Sequence, residues 1–246
     1  MAKLAIIGGS GLAQLDELHI DRSEVVETPF GSPSSALVHG TLNGREIIFI
    51  PRHGDPHTIP PHKVNYRANI WALKQLGIEQ VIGVAAVGGI TSRMGPQVVA
   101  IPDQIIDYTY SRAHTFFEEE LSQVTHIDFT EPYGSELRQS LIAAAQQSGV
   151  DVVPQGTYGA TQGPRLESAM EIRRMEQDGC DLVGMTGMPE AALARELDIS
   201  YACCAVVANW GAGKGEGPIT MDEIHAHLKH GMDKVRQILS FIVVPE

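Results

Sequence analysis

The stretch ALVHGTLNGREIIFI, residues 36–50, decides the fold. Two runs of strand-forming residues flank Asn43–Gly44, a dipeptide that favours a type I′ turn because both of its residues tolerate positive φ. The reading is a hairpin with strands over 36–42 and 45–50. Outward from it, further strand signals fall at 3–7, 80–87, 97–101, 151–158, 181–185 and 201–208. Helical patterns interleave with them at roughly 64–76, 135–148, 167–178, 189–197 and 221–241. The last of these opens on Thr220-x-x-Glu223, a capping box, and continues apolar at Ile224, Leu228, Val235 and Leu239. Strands alternating with helices mean an α/β fold, and the hairpin makes its sheet mixed rather than purely parallel. No repeat, low-complexity tract or linker divides the chain, so one domain over 1–246 is expected.

The composition narrows the function. A net charge of −12 argues against a nucleic-acid partner, which needs a basic face. No apolar run approaches the length of about 20 residues that spans a membrane, and the start MAKLAIIGGSG runs straight into a strand without a cleavage site. Cys180, Cys203 and Cys204 form no disulfide framework, so the expected compartment is the cytoplasm. An acidic protein that binds an anion must do so locally, with backbone N–H groups or one or two arginines.

Several strand ends carry such devices. AIIGGSGL (5–12) follows the first strand, but its glycines stand at 8, 9 and 11 with Gln14 beyond, so it lacks a dinucleotide fingerprint. A tight turn and an anion-holding loop with the Ser10 hydroxyl both remain open. Arg52 and His53 follow a strong strand and precede Gly54 and Pro56, at the carboxyl end where α/β sheets bind ligands. Arginine presents a planar fork to phosphate oxygens, and the histidine adds a neighbouring donor. His53, His57 and His62 lie in a proline-broken loop without cysteine or helical spacing, so no metal is expected. His225, His227 and His230 miss the register of a helical zinc pair. GVAAVGGI (83–90) offers backbone N–H groups near Ala85 and Ala86. TQGPRLES (161–168) brings Glu167 to a helix start, and GMTGMPEAALARE (184–196) leaves Met185 and Thr186 at a strand end before a helix opened by Pro189. AVVANWGAGKGEGP (205–218) ends a buried strand in Asn209 and Trp210 ahead of a glycine-rich loop. Strand ends closed by polar or glycine residues suit a composite small-molecule pocket. The stretch 109–133 is irregular, with FFEEE and THIDFTEPY, and is read as a surface excursion that contacts a neighbouring subunit.

In order along the chain, IIGGSGL, ETPFGSPS, RHG…HTIPPHKVNYRANIWALK, QGPR and MTGMPEAALARE resemble the purine nucleoside phosphorylase superfamily, most closely its trimeric methylthioadenosine phosphorylase branch. The likeness covers essentially the whole chain. It implies a single-domain twisted mixed sheet surrounded by helices, a homotrimer, and reversible phosphorolysis of an N-glycosidic bond. Inorganic phosphate is then a co-substrate, and no metal or organic cofactor is needed. The resemblance puts Ser10, Arg52, His53 and Thr186 on phosphate, with the backbone of Ala85 and Ala86. Relatives often have a hydroxyl residue at Ala85, so one donor is missing here. Met185 falls against the ribose, with Leu166, Trp210 and Gly211 on the substrate wall. Asn209 and His53 are the implied catalytic residues. His126 matches a position that enters the adjacent subunit's pocket.

Specificity follows from four positions. Relatives that cleave adenine nucleosides carry aspartates where this chain has Asn209 and Gly211. An asparagine donates toward O6 or N7 and accepts from a protonated N7. Glu167 occurs at the equivalent place in the inosine- and guanosine-cleaving branch, where a carboxylate accepts the N1–H of a 6-oxopurine. Against adenine, the same groups stay unpaired, a mismatch that can discriminate by about 10⁴. Met221 and Ile224, one turn apart on the last helix, replace the polar residue expected for a 5′-hydroxyl and suit a methylthio group. The combination predicts phosphorolysis of 5′-methylthioinosine to hypoxanthine and 5-methylthioribose 1-phosphate. The alternatives are a general 6-oxopurine phosphorylase, a methylthioadenosine phosphorylase, and a non-catalytic nucleoside binder.

Overall fold

The computed structural model describes residues 3–12, 18–119 and 121–243. Its hairpin forms as read. Strands β3 (Leu37–Leu42) and β4 (Arg45–Pro51) pair antiparallel with Leu42 opposite Arg45. Asn43 and Gly44 take φ of 48° and 79°, the double positive of a type I′ turn. An outer strand β2 (His19–Glu24) pairs with β3. It reads HIDRSE and is solvent-exposed along almost its whole length, so no buried apolar face announced it.

The hairpin joins a parallel block at the centre of the molecule. Strand β1 (Leu4–Gly8) lies between β4 and β5 (Gln80–Gly89), parallel to both. The long strand β11 (Ser200–Trp210) runs parallel to β5 along its other edge. Short strands complete the sheet. They are β6 (Val99–Ala100), β7 (Gln104–Asp107), β8 (Val152–Val153), β9 (Thr157–Ala160) and β10 (Leu182–Gly184). Strand β10 pairs antiparallel with the end of β5, and β6 antiparallel with β11, so the sheet is mixed beyond the hairpin too. The single strand expected over 151–158 is two, β8 and β9. Pro154, which has no N–H to give a ladder, lies between them. Strand β7 was not anticipated.

Helices α1 (Tyr66–Gln75), α2 (Ser135–Ser148), α3 (Ala169–Gln177), α4 (Gly187–Glu196) and α5 (Met221–Ser240) pack around the sheet. The alternation along β1 separates its two faces. Ala5 and Ile7 join Ile70 and Leu73 of α1 and Leu193 of α4 in one buried cluster. Leu4 and Ile6 join Leu137 and Leu141 of α2 and Leu228 and Val235 of α5 in the other. Caps fix the helix starts. Ser168 and Glu171 form a full capping box on α3, which leaves Glu167 just outside the helix. On α5 only half of the expected box forms. Thr220 accepts from the Glu223 N–H, while its hydroxyl donates to the Glu223 carboxylate. Regular helical geometry in α4 begins after Met188, whose φ and ψ are extended, so Pro189 opens it as read.

Candidate active site

Four parallel strands, β4, β1, β5 and β11, run in one direction, and a cavity of about 1050 Å³ opens where their carboxyl ends meet. Its floor is a split in the sheet. β1 pairs with β5 only as far as Ile7 opposite Gly83, and β10 takes over that edge only at Gly88. Between these points Ala85 and Ala86 have no strand on that side among the described residues, and both line the cavity. Backbone groups in such a gap are free to meet a ligand.

The loop after β1 approaches the same gap. A Cβ on Gly9 would lie 2.4 Å from the Val84 carbonyl oxygen and 3.0 Å from Arg52 Nη1. The glycine therefore admits the Arg52 guanidinium under the loop, and Ser10 is carried to the cavity wall. Of the two readings left open for GGSG, the tight turn forms, with the Leu12 N–H donating to the Gly9 carbonyl at 3.0 Å, and it sets Ser10 on the cavity wall.

Arg52 is fully buried, and its fork is largely taken. Nε and Nη2 donate to the two carboxylate oxygens of Glu190, both at 2.7 Å, and Nη1 donates to the Val84 carbonyl at 2.8 Å. Tyr201 donates to Glu190 as well, at 2.8 Å. Gly83 makes room for this group, because a Cβ there would sit 2.0 Å from the Tyr201 hydroxyl. Burial alone would push the guanidinium pKa down. The Glu190 carboxylate outweighs it and holds Arg52 above its ordinary value. A guanidinium carries five N–H donors, so one on each Nη remains for the cavity. Sequence reading missed Glu190. The signal was a carboxylate embedded in PEAALA, where its neighbours are core residues.

His53 also lines the cavity, but with roles reversed from expectation. Its Nδ1 lies 2.8 Å from the Ile59 carbonyl oxygen, which can only accept, so Nδ1 carries the proton and donates. Burial, reinforced by the nearby Arg52 charge, lowers its pKa to about 4. The ring is neutral near pH 7 and leaves Nε2 as an acceptor, not the second donor that the sequence suggested. His57 stacks on it with ring centroids 4.5 Å apart.

More of the predicted residues join the lining. Met185 and Thr186 follow β10 and reach the wall, as do Leu166 and Glu167. The Thr161 hydroxyl donates to Glu167 at 2.6 Å and holds one carboxylate oxygen. Asn209 arrives through a bulge in β11 between Val207 and Asn209, which sets it opposite Gly88. Its Nδ2 donates to the Trp210 carbonyl at 2.7 Å, which fixes the amide and leaves Oδ1 and one N–H for a ligand. Gly211 lines the cavity, and Met221, Ile224, His225 and Leu228 line it from α5. Trp210 does not reach the wall. Its ring lies beside Gly95, and its ring and Cβ lie beside Gly215. His126 is exposed and lies away from this chain's cavity.

The chain that builds this cavity has close counterparts among known proteins. The model of the phosphorylase superfamily matches residues 3–243. The chain belongs to the phosphorylase superfamily. It is 53% identical over 243 residues to a probable S-methyl-5′-thioinosine phosphorylase of Pseudomonas syringae pv. tomato, covering 99% of both chains. It is 46% identical to a 6-oxopurine nucleoside phosphorylase of Pyrococcus furiosus, covering 98% of this chain and 92% of the relative. Among solved structures, a methylthioadenosine phosphorylase from Schistosoma mansoni in complex with adenine superposes with a TM-score of 0.93 at 33% identity. That match covers 98% of this chain and 90% of the other. Among the described residues, no helix is long and apolar enough to cross a membrane.

Within the superfamily's architecture, sequence reading missed one more buried group, Arg112. It lies in the irregular segment read as a surface excursion, yet it is almost fully buried. Among the described residues, the segment does lack regular elements between β7 and α2, as read. Phe116 and Phe129 nevertheless pack against the core.

Proposed function

We propose that the chain cleaves 5′-methylthioinosine with phosphate, releasing hypoxanthine and 5-methylthioribose 1-phosphate. The observation that carries this is that one cavity is lined both by Glu167 and Asn209 and by the strand ends that would hold phosphate. Glu167 has one oxygen fixed by Thr161 and a second for the N1–H of a 6-oxopurine. Asn209 offers an N–H to O6 and an Oδ1 to N7–H.

In this reading Ser10, Thr186, the backbone at Ala85 and Ala86 and the two remaining Arg52 N–H groups bind phosphate. His53 Nε2 accepts the hydrogen of its protonated oxygen. A phosphate oxygen attacks C1′, the C1′–N9 bond breaks, and its electron pair moves onto the purine. Holding phosphate in line beneath C1′ removes much of the entropic barrier, and its negative charge stabilises the cationic sugar. Asn209 stabilises the departing base by hydrogen bonding, and solvent supplies the proton. Met185 packs on the ribose, and Met221, Ile224 and Leu228 form an apolar seat for the methylthio group. No cofactor enters the scheme. His126 would come from a neighbouring copy in a homotrimer, and the cytoplasm is the compartment that fits.

A second reading, a general 6-oxopurine nucleoside phosphorylase, is favoured by His225, which lines the cavity beside Ile224 and could meet a 5′-hydroxyl. Steady-state rates on methylthioinosine, methylthioadenosine and inosine separate the readings. Methylthioinosine is expected to give the highest kcat/KM, with no base released without phosphate. Preference for methylthioadenosine would sink the base assignment, and preference for inosine the sugar assignment.

A further inference from the structure

Arg112 is buried, yet no carboxylate among the described residues pairs with it. Its N–H groups go to neutral acceptors instead. Nε donates to the Gln162 side-chain oxygen at 3.0 Å. Nη1 donates to the carbonyls of Met185 and Met188 at 2.8 and 2.6 Å, and Nη2 to those of Thr161 and Gln162 at 3.1 and 2.8 Å. Nη1 also lies 3.4 Å from the Tyr66 hydroxyl, and the guanidinium stands 5.5 Å from the Tyr66 ring centroid. Tyr66 in turn donates to the Pro61 carbonyl at 2.9 Å, on the loop that lines the cavity below His53.

One side chain thus ties together three segments of the cavity wall. The first, 161–167, ends in Glu167. The second, 185–188, holds Met185 and Thr186. The third is the 58–61 loop, whose Ile59 carbonyl fixes His53. We infer that Arg112 is a positioning residue that sets the distance between the purine-reading wall and the phosphate-holding wall. It touches neither substrate and does not line the cavity. The inference rests on the reading that Glu167 faces the base and Thr186 the phosphate.

A planar fork suits this task because its donors leave in fixed directions, whereas an ammonium is a point charge on a flexible stem. Arg112→Lys keeps the charge and loses the span. Arg138 is a fitting control. Among the described residues it too lacks a carboxylate partner and donates to the carbonyls of Ile101, Pro102 and Pro154, none of which lines the cavity.

The experiment compares wild type, Arg112→Lys and Arg138→Lys for Tm and for kcat and KM on a 6-oxo and a 6-amino nucleoside at varied phosphate. Arg112→Lys is expected to lower kcat by about 10²-fold, the scale of a misplacement of about 1 Å. The ratio of kcat/KM between the two nucleosides should move toward one, and the phosphate KM should rise. Arg138→Lys should lower Tm without moving the ratio. Equal Tm losses with the wild-type ratio and phosphate KM kept in both variants would overturn the inference. Should Arg112→Lys not fold, Gln162→Met and Tyr66→Phe each remove one acceptor and should shift the same ratio by a few-fold; unchanged ratios in both would overturn it. A wild type that prefers the 6-amino nucleoside would refute the base reading alone, since loss of either preference in Arg112→Lys still reports the clamp.

Discussion

At one end of the cavity Arg52 and Glu190 are 1% and 0% exposed, and each is cross-linked to a neighbouring strand or helix. At the other end Leu166 and Met221 keep 43% and 59% of their surface exposed, and the residues stand on loops or on the first turn of α5. The first end is part of the core and the second is laid over it. A group that must hold the same anion for every substrate can be built into the sheet. Of the groups proposed to choose among bases and sugars, Glu167 and Met221 stand on segments that can change without unfolding it, while Asn209 closes the core strand β11. The contrast assigns different consequences to mutations at the two ends, mainly stability at one and selectivity at the other.

The largest effect is expected from Glu190→Gln. It leaves Arg52 charged, buried and without its carboxylate, a defect that costs about 3–5 kcal/mol in comparable pairs. Urea denaturation measures it, and a loss below about 1 kcal/mol would mean that the pair is not part of the core in this sense. Next is Glu167→Gln, which exchanges an acceptor for a group that can also donate. The methylthioinosine-to-methylthioadenosine ratio of kcat/KM should fall by about 10²-fold with Tm little changed. A large drop in Tm with an unchanged ratio would place Glu167 with the core instead.

His53 gives the buried end a pH signature. Its folded pKa of about 4 lies below the ordinary value of 6.5. The unfolded chain therefore binds the proton more readily between these values. The stabilisation is fully present above pH 6.5 and is lost as pH falls toward 4, about 3 kcal/mol for this group. Melting of wild type and His53→Asn from pH 7 to 4 should show a shallower acid slope in the variant. Parallel slopes would contradict a neutral, buried ring. The smallest effect belongs to the exposed end. Ile224→His should raise inosine turnover relative to methylthioinosine by about tenfold, the scale of a change in one pocket contact.

How far the sequence could be read follows the same division. Asn43–Gly44, Pro189 and the interleaved strands are local signals, and they located the hairpin, the start of α4 and most strands within a residue or two. Ser10, Arg52, Thr186 and Asn209 were legible because each closes a buried strand, and the sheet brings such ends together. The partners of these residues were not legible. Glu190 meets Arg52 across a sequence gap of 138 residues, and Arg112 meets Met185 across one of 73. Nothing local distinguishes a buried arginine in SRAHT from a surface one. The His53 donor role failed for a related reason, since the Ile59 carbonyl that accepts from Nδ1 belongs to an irregular loop. The resemblance placed Trp210 on the substrate wall, which it does not reach. The extended strand turns successive side chains to opposite sides, and the ring packs on Gly95 and Gly215 instead.

The most direct test of the account is one ratio measured twice. It is kcat/KM for methylthioinosine over methylthioadenosine, at saturating phosphate, in wild type and in Glu167→Gln. The account expects a ratio well above one in the wild type that falls by about 10²-fold in the variant. A ratio below one in the wild type, or an equal ratio in both proteins, would contradict it.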